Sequence, residues 1–149
     1  MTQDVTVGRA GEKGYGVFAA KSFKKGSLVV RGIPECVVSE KTDYSFQIDI
    51  NKHVQLDKPA RLINHSCEPN LGVRSNKFGG YDFLALRDIS VGEEFAWDYS
   101  MTEFVSIAIK DRCLCQSDIC RKKVGGFVSL PLDVRNKYNE FIADYLKQL

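Results

Sequence analysis

Three stretches of this chain carry residue types able to do chemistry. Cys113-Leu114-Cys115 and Cys120 put three thiols within eight residues, out of five cysteines in all. An odd number clustered in a polar segment speaks for a metal rather than for disulfides or core packing. Structural zinc takes four sulfur or nitrogen ligands in a tetrahedron. One more ligand is therefore needed, and Cys67, Cys36, His53 and His65 are all candidates. The one-residue spacing is tighter than that of ordinary zinc fingers. The second stretch is Arg61-Leu62-Ile63-Asn64-His65-Ser66-Cys67-Glu68-Pro69-Asn70. It can be a polar turn with local side-chain bonds or a Cys-His nucleophile pair, although residues so close in sequence rarely face each other for that work. The third is Gly92-Glu93-Glu94-Phe95-Ala96-Trp97-Asp98-Tyr99. Its aromatics at 95, 97 and 99 would share one side of a strand. Such a channel, ending in a tyrosine hydroxyl, encloses an alkyl amine and favours its cation by roughly 0.5–2 kcal/mol. Three core aromatics fit the same pattern.

Short strands must position these groups. Val5 to Val7 ends at Gly8, Tyr15 to Ala19 lies beside Gly14 and Gly16, and Leu28 to Val30 follows Gly26. Tyr44, Phe46, Ile48 and Ile50 alternate with polar neighbours, the period of a half-buried strand. Asn51-Lys52 can turn that strand into a hairpin with His53 to Leu56, and Tyr81 to Leu86 follows Gly79-Gly80. Strands this short, with glycine turns, predict a mainly β domain. The last twenty residues differ. Val134, Tyr138, Phe141, Ile142, Tyr145, Leu146 and Leu149 repeat as one face of an amphipathic helix after Pro131. That face is expected to pack on the domain; the alternative use is a partner or dimer surface.

The 149 residues suit one domain with a small appendage. Lysine and arginine number 21 against 19 acidic residues, so bulk charge gives nucleic-acid binding little support. Lys21/Lys24/Lys25 and Arg121/Lys122/Lys123 are expected to be solvated surface. Neither a signal peptide nor a membrane-crossing run is visible, so an intracellular, soluble protein is expected, with nucleus and cytoplasm both open.

Taken in order, Lys13-Gly14-Tyr15-Gly16-Val17-Phe18-Ala19, Asn-His-Ser-Cys-x-Pro-Asn, Gly-Glu-Glu-Phe-x-x-Asp-Tyr and Cys-x-Cys-x4-Cys resemble the SET-domain protein-lysine methyltransferases that carry a post-SET zinc segment. The resemblance covers nearly the whole chain. It implies a mainly β, SET-type fold of small curved sheets with a knot-like C-terminal crossing, plus the C-terminal α-helix. Residues 1–100 would be the SET domain, and 101–149 the post-SET segment and helix. It implies S-adenosyl-L-methionine as cofactor, approached by Lys13, Gly14, Tyr15, Gly16, Tyr44, Arg61, Asn64, His65 and Leu114. His65 is then a binding residue rather than a base. Tyr99 would be the catalytic residue, with Phe95 and Trp97 lining the substrate channel. Cys67, Cys113, Cys115 and Cys120 would share one structural zinc, which leaves Cys36 as a small buried or semi-buried thiol. The substrate implied is a protein presenting a lysine, with a histone tail favoured. The short stretch between Tyr44 and Arg61 leaves peptide selection open. Trp97 departs from the family's Phe or Tyr, and its bulk and its missing hydroxyl push the number of methyl groups in opposite directions.

Other readings are a SET-like module that binds a lysine peptide without turnover, an enzyme for a non-histone protein or small amine, and a zinc-stabilised interaction domain. An intact Tyr99, Asn64, His65 and glycine motif speak for the enzyme.

Overall fold

The computed structural model describes residues 4–149. Strands β1 (Val5–Arg9) and β2 (Tyr15–Ala19) form an antiparallel hairpin with Val5 opposite Ala19, joined through a 3-10 turn at Gly11–Lys13. β3 (Leu28–Gly32) begins the central sheet. Next come β4 (Pro34–Val38), β5 (Ser45–Asp49) and β6 (Lys52–Leu56), which make a second sheet in the order β4-β6-β5. β7 (Asn64–His65) is two residues long, β8 (Leu71–Ser75) and β9 (Tyr81–Ala85) complete the central sheet in the order β3-β9-β8, and β10 (Ala96–Trp97) pairs with β7.

The predicted strands are all present, and the hairpin of β5 with β6 turns at Asn51, as its sequence predicts. β4 and β8 carry no clean alternation, and the sequence does not reveal them. β9, the central strand of its sheet, is buried along its whole length, so both of its faces are covered. Burying both faces of a central strand removes the alternation that would mark it. The strand around Phe46 is shorter than its apolar pattern: Tyr44 and Ile50 fall outside it and are exposed. Cys36 is exposed on the edge strand β4, not buried.

The C-terminal helix is also shorter than its periodicity. α1 runs over Leu132–Tyr138 and stops at Asn139, whose φ of 52° no helix can pass through. The chain then turns inward. Ala143 N donates to Met101 O at 2.8 Å, and a 3-10 turn follows at Asp144–Gln148. Tyr138, Ile142 and Leu146 are buried in the same core as Phe83 and Trp97, so the face packs on the domain. Leu149 stays exposed. No helix among the described residues is long and apolar enough to cross a membrane.

The crossing is the feature that matters for chemistry. β10 lies parallel to β7, with Ala96 beside Asn64 and Trp97 beside His65. Ser66 N donates to Trp97 O at 3.0 Å and Asn70 N to Ala96 O at 3.2 Å. The Asn70 amide closes the clasp: it donates to Glu94 O and accepts from Ala96 N, both at 2.9 Å. Residues 64–70 therefore wrap the chain that leads into Tyr99.

Candidate active site and metal centre

Tyr99 opens a 3-10 turn, Tyr99–Met101, capped by Asp98, whose carboxylate accepts from Ser100 N at 2.9 Å. Two cavities meet at this tyrosine. One, of about 460 Å³, is lined by Lys13, Asn64, His65, Cys113 and Leu114 among others. The other, narrower, is lined by Phe46, Arg61, Ile63, Trp97, Glu103 and Ser106 among others. Tyr44 and Tyr99 line both. Burial pushes the Tyr99 phenol up, so it stays protonated and can donate.

Glu94 organises the first cavity. Lys13 Nζ lies 2.5 Å from its Oε1, and the Asn64 amide donates to its Oε2 at 2.9 Å and to Tyr15 O at 2.8 Å. A Cβ on Gly16 would sit 2.6 Å from that same Oε2, so only glycine fits beside the ion pair. A volume in the usual range for small-molecule sites, walled by close main chain, suits a cofactor. Of the residues expected there, Lys13, Tyr44, Asn64, His65 and Leu114 line the cavity, Gly14, Tyr15 and Gly16 do not, and Arg61 is displaced. It lines the narrower cavity, bonded to Glu35 at 2.8 Å and to Leu56 O at 3.1 Å.

His65 is held neutral. Its Nδ1 accepts from Tyr99 N at 3.0 Å, which places the ring hydrogen on Nε2, facing Cys67 Sγ at 3.5 Å. Asp98 Oδ1 lies 3.6 Å from Nδ1, beyond hydrogen-bond range. Burial, opposed by Asp98, brings the imidazole down to about 4. With both nitrogens engaged, this side chain ties the cysteine cluster to the Tyr99 main chain and has no lone pair for a substrate.

Trp97 is locked rather than mobile. Its Nε1 donates to Ile63 O at 3.2 Å, and its ring stacks on Phe46 at 5.2 Å and leans on Tyr99 at 4.9 Å. Phe95 is not brought to either cavity. It is wholly buried and packs edge-on against Phe23 at 5.6 Å. β10 is too short to keep 95, 97 and 99 on one face: it covers two residues, and Tyr99 already belongs to the next turn.

Cys67, Cys113, Cys115 and Cys120 converge, with all four sulfurs within 4.8 Å of one another and Cys67 3.9 Å from Cys113. Four thiolates around a zinc ion stand about 3.8 Å apart. Arg121 N and Lys122 N each approach a sulfur at 3.4 Å, as the outer shell of a thiolate site does. Burial pushes Cys67 up to about 11; partial burial acts the same way on Cys115, but the N–H groups of Cys67 and Ser117 bring it down to about 7. A bound cation is what would hold all four ionised together. The donor set therefore fits a metal ion. Of the other candidate ligands, Cys36 is exposed and His53 sits in β6, both outside the cluster, while His65 touches Cys67 Sγ through Nε2 at 3.5 Å without being one of the four converging groups.

Several residues here carry little signal in the sequence. Asp98, fully buried, binds Arg121 at 2.8 Å and accepts from Tyr138 Oη at 2.6 Å. Desolvation would raise its carboxyl, but the Arg121 guanidinium and the Tyr138 hydroxyl together hold it below the usual range. Arg121, expected in solvent, is thus part of the buried scaffold. Its position directly after Cys120 is the one available clue. Glu103 is 8% exposed; its Oε2 accepts from Gln47 N at 2.8 Å and from Thr102 Oγ1 at 2.7 Å.

Comparison with known proteins agrees with this geometry. The sequence model of the SET domain matches residues 14–100. The chain is 32% identical over 144 residues to the variant-silencing SET domain-containing protein of Plasmodium falciparum, covering 80% of this chain and 6% of that protein. It is 30% identical over 148 residues to the histone-lysine N-methyltransferase Su(var)3-9 of Drosophila melanogaster, covering 76% and 23%. Among solved structures, KRYPTONITE in complex with mCHG DNA and SAH superposes with a TM-score of 0.66 at 28% identity, over 80% of this chain and 28% of that one. KRYPTONITE with mCHH DNA, H3(1-15) peptide and SAH gives 0.64 at 26% identity, over 80% and 29%. The chain thus spans less than a third of the length of each of these relatives. With the family's sequence model matched over more than half of its residues, and its fold shared, the chain belongs to the SET domain family.

Proposed function

We propose that this chain transfers a methyl group from S-adenosyl-L-methionine to a lysine ε-nitrogen of a protein, a histone tail being the favoured substrate. The observation that carries the reading is the meeting of two cavities at Tyr99. Relatives named histone-lysine N-methyltransferases and neighbours solved with SAH and a histone H3 peptide support it.

The cofactor would supply an electrophilic methyl on a sulfonium. Lys13, Asn64 and the main chain around Gly16 would hold it in the larger cavity, with Tyr44 and Leu114 at its edge. Tyr99 would aim its hydroxyl at the reacting atoms and orient the incoming amine. Trp97 would wall the narrower cavity and leave little room around the nitrogen. The nucleophile must be the neutral amine, whose free pKa is about 10.4. An apolar wall lowers that value, and rate would come from positioning and from exclusion of water. Zinc on Cys67, Cys113, Cys115 and Cys120 would be structural. It would pin residues 113–120 over the cofactor cavity, with no open position for chemistry. Residues 101–149 would then act as the closing segment of a SET unit built by residues 1–100.

The test is turnover with labelled cofactor on histone H3 and on a mixed protein extract, with Tyr99→Phe as control. Label on protein lysines that disappears in the variant supports the reading. Cofactor binding without any labelled protein would instead make this a lysine-peptide binding module.

A further inference from the structure

His65 stands between the thiol cluster and the Tyr99 turn and bonds to both. Its side chain is only 1% exposed, so each ring nitrogen depends on a protein partner. Tyr99 N can only donate, and it reaches Nδ1 at 3.0 Å. The ring hydrogen therefore sits on Nε2 and points at Cys67 Sγ, 3.5 Å away. The ring also meets the Tyr99 ring edge-on, with centroids 5.1 Å apart. Ser66 N, held by Trp97 O at 3.0 Å, fixes the loop between His65 and Cys67. A second route joins the cluster to the same turn. Arg121 N donates to Cys67 Sγ at 3.4 Å, and its guanidinium binds Asp98 at 2.8 Å and approaches Ser100 Oγ at 3.4 Å. That route ends on Asp98 and Ser100; the His65 route ends on Tyr99 itself.

We infer that His65 is a positioning residue that makes the placement of Tyr99 depend on a metal ion held by Cys67, Cys113, Cys115 and Cys120. The link rests on the methyl-transfer reading only for its effect on rate. When the Cys67 sulfur is a thiolate, its charge polarises the Nε2–H bond and makes Nδ1 a better acceptor for Tyr99 N. The same N–H steadies the thiolate as an outer-shell donor does. The coupling runs both ways: an ion on the thiolates tightens the Tyr99 turn, and a fixed turn tightens the ion. This differs from a clamp on residues 113–120, because it acts through residues 65–67 even while that segment stays in place.

Two substitutions divide the two bonds. The side-chain oxygen of Asn stands where Nδ1 does, and the amide nitrogen of Gln reaches the place of Nε2. His65→Asn thus keeps an acceptor for Tyr99 N and loses the donor to Cys67, and His65→Gln does the reverse. One readout is zinc affinity, by competition with a chelator. The other is hydrogen exchange of Tyr99 N–H in the zinc-loaded full chain, followed by NMR. Asn70 N–H, bonded to Ala96 O in the same crossing, is the reference. His65→Asn should weaken zinc by about 10–100-fold. His65→Gln should hold zinc to within about threefold of wild type and speed Tyr99 exchange about tenfold relative to Asn70. A His65 that only fills space predicts that both readouts move together in both variants, and that result overturns the link, as does a chain that takes up no zinc. Should neither variant fold, the wild type decides: zinc removal should speed Tyr99 exchange more than Asn70 exchange, and equal acceleration overturns the link. In turnover, kcat should fall about tenfold further in His65→Gln than in His65→Asn; equal falls overturn the positioning role. A chain without turnover whose zinc and exchange readouts still separate defeats the proposed activity and leaves the link standing. Turnover with both readouts moving together defeats the link alone.

Discussion

The crossing of β7 with β10 and the wall made by residues 42–45 and 104–112 face the same two cavities but are built in opposite ways. At the crossing, bonds are main-chain or buried: Ser66 N to Trp97 O, Tyr99 N to His65, and Asp98 to Arg121 and Tyr138. The wall is anchored at its 104–106 end by Phe104 N to Gln47 Oε1 and Ser106 N to Gly125 O, but its charged contacts, Lys110 to Asp43 and Lys41 to Val105 O, are solvent-exposed. Exposed pairs contribute little and rearrange easily, whereas a buried charge left without its partner is costly. In the proposed reaction, the contrast would put geometric precision where a methyl group is aligned and adaptability where a peptide is admitted.

That contrast can be broken at the crossing. Asp98→Ala would strand Arg121 and Tyr138, and should cost about 3–5 kcal/mol of stability in denaturant unfolding. A loss below about 1 kcal/mol would mean that the network is looser than its geometry. Tyr99→Phe should leave stability almost unchanged and lower kcat on the order of 10²-fold, as loss of one oriented donor does. Chelation of the proposed zinc should release residues 113–120, abolish the proposed methyl transfer and weaken cofactor binding. Retention of full cofactor affinity after zinc loss, measured by metal analysis and calorimetry, would show that the clamp does not shape that cavity.

Milder changes sharpen the comparison. Trp97→Phe leaves the Ile63 carbonyl without its donor, for about 1–3 kcal/mol, and enlarges the narrow cavity. Product masses should then shift toward more methyl groups, and an unchanged distribution would free Trp97 from setting that number. Lys110→Ala, on the wall, should change stability by no more than about 1 kcal/mol. A larger loss would mean that the wall is as rigid as the crossing.

The chemistry-bearing strings were legible because each acts largely through local features. Gly14 and Gly16 signal close main chain, Asn64 to Cys67 form a single loop, and the cysteine tail has diagnostic spacing. The resemblance supplied the fourth sulfur, Cys67, which spacing alone could not choose over Cys36, His53 or His65. Phe95 shows the limit of strand periodicity: alternation placed it with Trp97 and Tyr99, but a two-residue strand cannot hold three residues on one face. The C-terminal face shows another limit. Its apolar residues do return to the core as predicted, but through a helix, a turn and a 3-10 segment, because helical and 3-10 turns have nearly the same repeat.

By itself the sequence determined that this is a mainly β domain with a glycine-flanked polar site, a thiol cluster and a terminal apolar face, since composition and short periods encode local structure directly. Only the tertiary structure decided which groups act together. Asp98 meets Arg121 and Tyr138 across 23 and 40 residues of chain, and Glu103 meets Gln47 across 56. Such partnerships arise when burial removes water from a charge and leaves a distant side chain as its only available partner, and no spacing along the chain records that event.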